Sequence, residues 1–259
     1  MNVITQVLHL IGSGAVAYIT ARNLHDRRTR PDLLAGFHLA EAGSVPFLEA
    51  LSQRAMAEGN TWLAEKLSRH AQDERRHGQI FAHALKQLNK QAIDFRSMPE
   101  RNTESEKRRS PFFEAYYEGY SRESLKAEQI DWTVFFASTH ILELDAHRDF
   151  IRMANTLPET DPVNANLRKG LLSIAKDEQG HAAYLLEALH RQLPYADVIT
   201  LVDQWRTRKV NALLAMASNL LQKGGQLPAM SRDAASKPPI AASENETRSM
   251  LPHSEPVAA

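Results

Sequence analysis

The chain contains no cysteine. That absence removes disulfides, a rubredoxin-type iron centre, iron–sulfur clusters and thiol nucleophiles together, and it fits a reducing, cytoplasmic compartment. Glycine is also scarce, at 11 of 259 residues, and long stretches carry no proline. An all-helical fold is therefore expected. Charge of one sign is missing too: 31 basic residues balance 31 acidic ones, so no large field points to a nucleic acid or an acidic partner. Nor is there a clean hydrophobic run. Val3 to Ile19 is apolar but interrupted by Gln6, His9, Gly12, Ser13 and Gly14, with no basic residue before it. A membrane span needs about 20 predominantly apolar residues and a secretory signal needs a positive leading region. The recurrence of Val3, Val7, Ile11 and Ala15 instead predicts a short helix, within residues 1–30, that packs on the main body without a membrane.

What is present is helical punctuation. Arg30-Pro31-Asp32 opens a first long helix that runs to about Glu58, with Pro46 expected to kink it, and Gly59-Asn60 stops it. Thr61 is read as the cap of a second helix, to about Asn89. Residues 90–111 form a polar crossover linker that includes Lys107-Arg108-Arg109, followed by a short aromatic helix over Phe112 to Tyr120. A third main helix spans about Ser124 to Thr156, and Asp161 with Pro162 starts a fourth, to about Gln192. Pro194 begins a fifth, to about Lys223; from Gly224 the Pro/Ser/Ala-rich composition predicts a disordered tail, 224–259. Two helical hairpins joined by a long connection make a four-helix bundle with one crossover, over residues 31–223.

The two hairpins carry the same word. Asp73-Glu74-Arg75-Arg76-His77 and Asp177-Glu178-Gln179-Gly180-His181 lie about a hundred residues apart, and each follows an upstream glutamate, Glu41 or Glu143. All six Glu and His residues occupy apolar seams. In the second helix the seam reads Leu63, Leu67, His70, Glu74, His77, Phe81; in the fourth, Leu167, Leu171, Ile174, Glu178, His181, Leu185. Steps of three and four keep these side chains on one face, toward a bundle core. Glu41 follows Leu34 and Phe37, and Glu143 follows Phe136 and Thr139, in the same way. Unpaired carboxylates in a dry core would each cost several kcal/mol at least, and four would repel one another. Two divalent metals offset that charge, with neutral imidazoles as the other donors. Carboxylate and imidazole without thiolate suit iron or manganese over zinc. Asp73 and Asp177 sit beside the ligands and can each reach the histidine of the opposite hairpin, fixing its tautomer.

This pattern, from Glu41 through His181, resembles the ferritin-like di-iron carboxylate superfamily, and the Asp-Glu-x-Arg-His stretch at 73–77 is similar to motifs of acyl-carrier-protein desaturases and bacterial hydroxylase subunits. The likeness covers roughly Pro31 to Gln192. It implies a ferritin-like bundle with two iron ions that react with dioxygen or peroxide, held by Glu41, Glu74, His77, Glu143, Glu178 and His181. It leaves the reaction open. A di-iron oxygenase or hydroxylase acting on an organic substrate is the leading expectation, with electrons from an external reductase because the chain offers no internal route. A tRNA substrate occurs among such enzymes but is disfavoured here by the neutral charge. A rubrerythrin- or ferritin-like oxidase or peroxidase, and a non-enzymatic metal-stabilised scaffold, are the alternatives.

Several residues have plainer readings. His70 is either a seventh ligand, a donor that like Asp73 and Asp177 supports the ligands from outside, or, as the simpler reading has it, a core histidine bonded to main chain; His38 and His147 are expected at the seam edge. The cluster Phe112, Phe113, Tyr116, Tyr117 and Tyr120 is expected to pack under the crossover, or else to cover an apolar channel. The basic run Lys107-Arg108-Arg109 reads as a solvated loop.

Overall fold

The computed structural model describes residues 18–94, 110–222 and 229–234. Helix α1 covers 18–25. It is followed by α2 (Arg30–Ala57), α3 (Thr61–Gln87), β1 (Lys90–Ala92), α4 (Pro111–Tyr116), α5 (Trp132–Thr156), α6 (Pro162–Gln192), α7 (Tyr195–Gln222) and β2 (Ser231–Asp233). Among the described residues the expected all-helical character holds, apart from a two-stranded antiparallel sheet. Among the described residues no helix is long and apolar enough to cross a membrane. The readings of Val3 to Ala15, of Lys107-Arg108-Arg109 and of the tail beyond 234 lie outside the described residues.

Local chemistry sets the ends of these helices. Pro31 occupies the first turn of α2, and the helix continues through Pro46. The α2–α3 turn uses Gly59 at φ +79°, a left-handed conformation that side chains disfavour. Asn60 then caps α3, its side chain accepting from Leu63 N at 3.1 Å. The cap is therefore Asn60 rather than Thr61, which is the first helical residue. Asp161 caps α6 as expected, accepting from Val163 N. Helix α5 starts later than expected: the Asp131 carboxylate accepts from Thr133 N at 2.8 Å and Val134 N at 3.1 Å, fixing the start there. Residues Glu123–Leu125 form only a 3-10 turn.

The segment expected to be a disordered tail is ordered over 229–234. Ser231–Asp233 pairs antiparallel with Lys90–Ala92, at the start of the expected linker. The Asp32 carboxylate accepts from Met230 N, Ser231 N and Ser231 Oγ, and Lys90 pairs with Asp233 at 2.6 Å. These partners are far apart in sequence, so composition alone did not reveal them.

Helix α2 packs along α3 and α5 along α6, while α3 meets α6 between the two pairs. The α3–α6 approach is close at Gly170, where an added Cβ would fall 2.6 Å from Ile80 Cγ2. Helix α7 lies against α4 and α5. There Tyr116, Tyr117 and Tyr120 gather around Trp205, and Tyr116 donates to the Ser138 carbonyl at 2.7 Å. Packing is thus a role of the aromatic segment, as expected. A buried Lys209–Asp145 pair at 2.5 Å ties α7 to α5.

The hydrophobic core is split in two. One cluster contains Leu48 of α2, Leu67 of α3, Ile141 of α5 and Leu185 of α6. The other contains Leu34, Phe81, Phe150 and Ile174 of the same four helices, together with Leu24 of α1. Every helix of the two hairpins passes from one cluster to the other, and the stretch between them carries Glu41, Glu74, Glu143 or Glu178. A polar layer is thereby sealed above and below by apolar side chains.

Candidate metal centre

Six predicted ligands and His70 meet in that layer. The ligand atoms of Glu41, Glu74, His77 and Glu178 lie within 4.8 Å of one another, as do those of His70, Glu74, Glu143 and His181. Glu74 belongs to both groups and so stands where a bridging carboxylate would. His77, Glu178, Glu74 and His181 are almost wholly buried, whereas Glu41 and Glu143 are partly so.

The two motif histidines are oriented alike. His77 Nε2 donates to Asp177 Oδ2 and His181 Nε2 donates to Asp73 Oδ2, both at 3.3 Å. These are the cross-hairpin braces expected from the helical angle between neighbours. Arg76 joins them, donating to Asp177 and lying 3.5 Å from Asp73. With each Nε2 proton engaged outward, each Nδ1 presents a lone pair inward. His181 Nδ1 lies 2.9 Å from Glu178 Oε2. His77 Nδ1 is fully buried and makes no hydrogen bond, although Glu178 Oε1 is 3.2 Å away. A buried acceptor facing carboxylate oxygens calls for a proton or a cation between them. This orphaned atom, grouped with the three carboxylates of Glu41, Glu74 and Glu178, is what a metal fits.

His70 departs from the simpler reading. Its partners are side chains rather than main chain: Tyr184 Oη at 2.8 Å on Nδ1, and Glu74 Oε1 at 3.1 Å on Nε2. His38 and His147 do have main-chain partners, donating through Nδ1 to the carbonyls of Gly78 and Ala175. Sequence reading overlooked His140, which donates to the Ala182 carbonyl at 2.8 Å. A signal was available. His38 and His140 each precede the α2 or α5 glutamate by three residues, and each binds the carbonyl of the residue after the motif histidine. The hairpins repeat in these struts as well as in the ligands.

Without metal the acids share protons. Burial, then hydrogen bonding and charge repulsion from Glu74, push Glu41 well above the usual carboxylate range. Burial and the Glu143 charge raise Glu178 likewise. Burial lifts Glu74 to about 8. Burial is the largest single influence on Glu143 and penalises its charge, but the hydrogen bond and charge of His70, with the Glu178 hydrogen bond and the His181 charge, together outweigh it and leave Glu143 at about 2. His77 is lowered to about 4, chiefly by burial, against the pull of Asp177.

A pH dependence of the metal-free protein follows. Between about pH 4 and 6.5 the unfolded chain protonates His77 and the folded chain does not, so this group adds stability as pH rises. From the ordinary carboxylate value of 4.5 up to about 8 the folded chain keeps the Glu74 proton that the unfolded chain has lost, so stability falls through that window. Above pH 6.5 only the acid contribution changes. The melting temperature of chelator-treated protein is expected to fall from pH 6.5 to 8, with a shallower fall in Glu74→Gln. A flat or rising profile in scanning calorimetry would contradict this proton sharing.

A cavity of about 470 Å³ is lined by Phe47, Phe113, Tyr117, Leu125, Phe135 and Thr139 among others. Thr139 lies one helical turn before Glu143 on α5. Sequence reading allowed for an apolar channel under Phe113 and Tyr117 but did not locate its α2 and α5 walls. Comparison of the chain with protein-family models, with curated proteins and with solved structures finds no match.

Proposed function

We propose that the chain is a ferritin-like, cytoplasmic di-iron oxygenase or hydroxylase that oxidises an organic substrate. The observation that carries this reading is the pair of donor groups sharing Glu74, with the orphaned His77 Nδ1 turned toward them. Iron fits the mixed carboxylate and imidazole donors, and manganese is the other metal such a set accepts. Two irons bound there would supply the redox chemistry, the reduction of dioxygen coupled to oxidation of a C–H or similar bond.

The chain's own residues hold and shield that chemistry. Asp73 and Asp177 keep the Nε2 protons of His181 and His77 outward, so both Nδ1 atoms stay directed at the centre. The two apolar clusters exclude water from either side. The cavity walled by Phe47, Phe113 and Phe135 suits an apolar, ring-bearing molecule and brings it to within a turn of Glu143. Electrons come from an external donor, because the chain has no cysteine to hold its own transfer centre. The cavity favours an oxygenase over a storage or peroxide-consuming protein, which needs no organic pocket.

The test is rapid mixing of anaerobically reduced, iron-loaded protein with oxygen. A transient absorbance whose decay is accelerated by one aromatic or apolar compound, and slowed again by Phe135→Trp filling the cavity, is expected. Accumulation of a ferric mineral would favour storage, and no oxygen or peroxide reaction would leave a scaffold.

A further inference from the structure

The internal repeat fails at two positions. One turn before Glu74 stands His70, but one turn before Glu178 stands Ile174. Three residues after His181 stands Tyr184, but three after His77 stands Ile80. In the fold the two polar exceptions meet. Tyr184 Oη is 2.8 Å from His70 Nδ1, and both side chains are buried. The His70 ring stacks on His181 with centroids 3.7 Å apart. Its Nε2 lies 3.1 Å from Glu74 Oε1 and 3.4 Å from Glu143 Oε1. Where Tyr184 Oη accepts the Nδ1 proton, the Nε2 lone pair points between those carboxylates, in the pose of a metal ligand.

Granting the two-metal reading above, we propose that His70 is a seventh ligand, positioned by Tyr184, and that the two metal positions are therefore chemically different. One is faced by His70, His181, Glu143 and Glu74; the other by His77, Glu41, Glu178 and Glu74. Two imidazoles favour later divalent metals such as cobalt and iron, whereas a carboxylate-rich set is less selective and tolerates manganese. The positions consequently fill in order, the one beside His70 first, and the chain can carry two unlike ions.

Cobalt(II) titration of the metal-free full-length chain, followed by calorimetry and visible absorption, tests this. The expected result is two resolved steps, with distinct ligand-field bands for the first. His70→Leu should weaken the first step by about 100-fold and alter its bands, leaving the second step unchanged. Tyr184→Phe, which removes only the hydroxyl, should weaken the first step by about 10-fold, the lower end of the loss when a ligand's outer partner is removed. If His70→Leu does not fold, Tyr184→Phe carries the test alone. First-step affinity and bands that match the wild type in the variants overturn the proposal while leaving two metals in place. No cobalt binding by the wild type overturns the two-metal reading itself, and this inference with it.

Discussion

The Glu74→Ala protein is expected to retain no stoichiometric iron, whereas Glu178→Ala is expected to keep one of its two positions filled. The difference follows from the donor groups, since Glu74 belongs to both, whereas Glu178 is grouped with Glu41 and His77 and meets the other group through His181 Nδ1, 2.9 Å from its Oε2. From the repeat alone the two glutamates look equivalent, each the first residue of a Glu-x-x-His. The geometry breaks that equivalence because His70 sits a turn before Glu74, with its Nε2 3.1 Å from Glu74 Oε1, and Ile174 stands at the matching place before Glu178. Elemental analysis of the variants after anaerobic loading and desalting decides the matter. Two ions per chain in Glu74→Ala would be incompatible with a bridging role.

A comparably large effect is expected on stability. In chelator-treated protein Glu41, Glu74 and Glu178 stay in the interior by holding protons, since burial raises all three, while Glu143 stays ionised against His70. On the proposed reading, ferrous iron would remove that burden and bind the folded chain alone. At free metal one hundred times the dissociation constant, each position adds about 2.7 kcal/mol. In a chain of this size that corresponds to an increase of about 5–10 °C in melting temperature per position. The increase should be larger at pH 8 than at pH 6.5, because iron displaces protons the metal-free fold struggles to release. An unchanged melting temperature would show that no cation resides between the clusters.

The residues that sequence reading placed correctly are those whose neighbours are close along the chain. Asp161 and Pro162 mark the start of α6, and seam positions taken by Glu74, His77, Glu178 and His181 stand out because leucine or phenylalanine precedes and follows them. The crossed Asp73–His181 and Asp177–His77 pairs were also legible, since one step around a helix turns a side chain toward the adjoining helix. Where choices were nearly equal, detail was lost. Asn60 and Thr61 are both good caps, and the left-handed Gly59 decides between them. Partners far apart in sequence stayed hidden. The strand at Ser231–Asp233 depends on Asp32 and Lys90, and the role of His70 depends on Tyr184. No local pattern encodes either.

Iron K-edge X-ray absorption on anaerobically ferrous-loaded, desalted protein addresses the central claim most directly. Nitrogen and oxygen neighbours with an iron–iron vector of about 3.5–4 Å are expected, the spacing of two-metal sites. Iron that washes away, or iron with no second metal at that distance, would contradict a dinuclear centre between the two halves of the core.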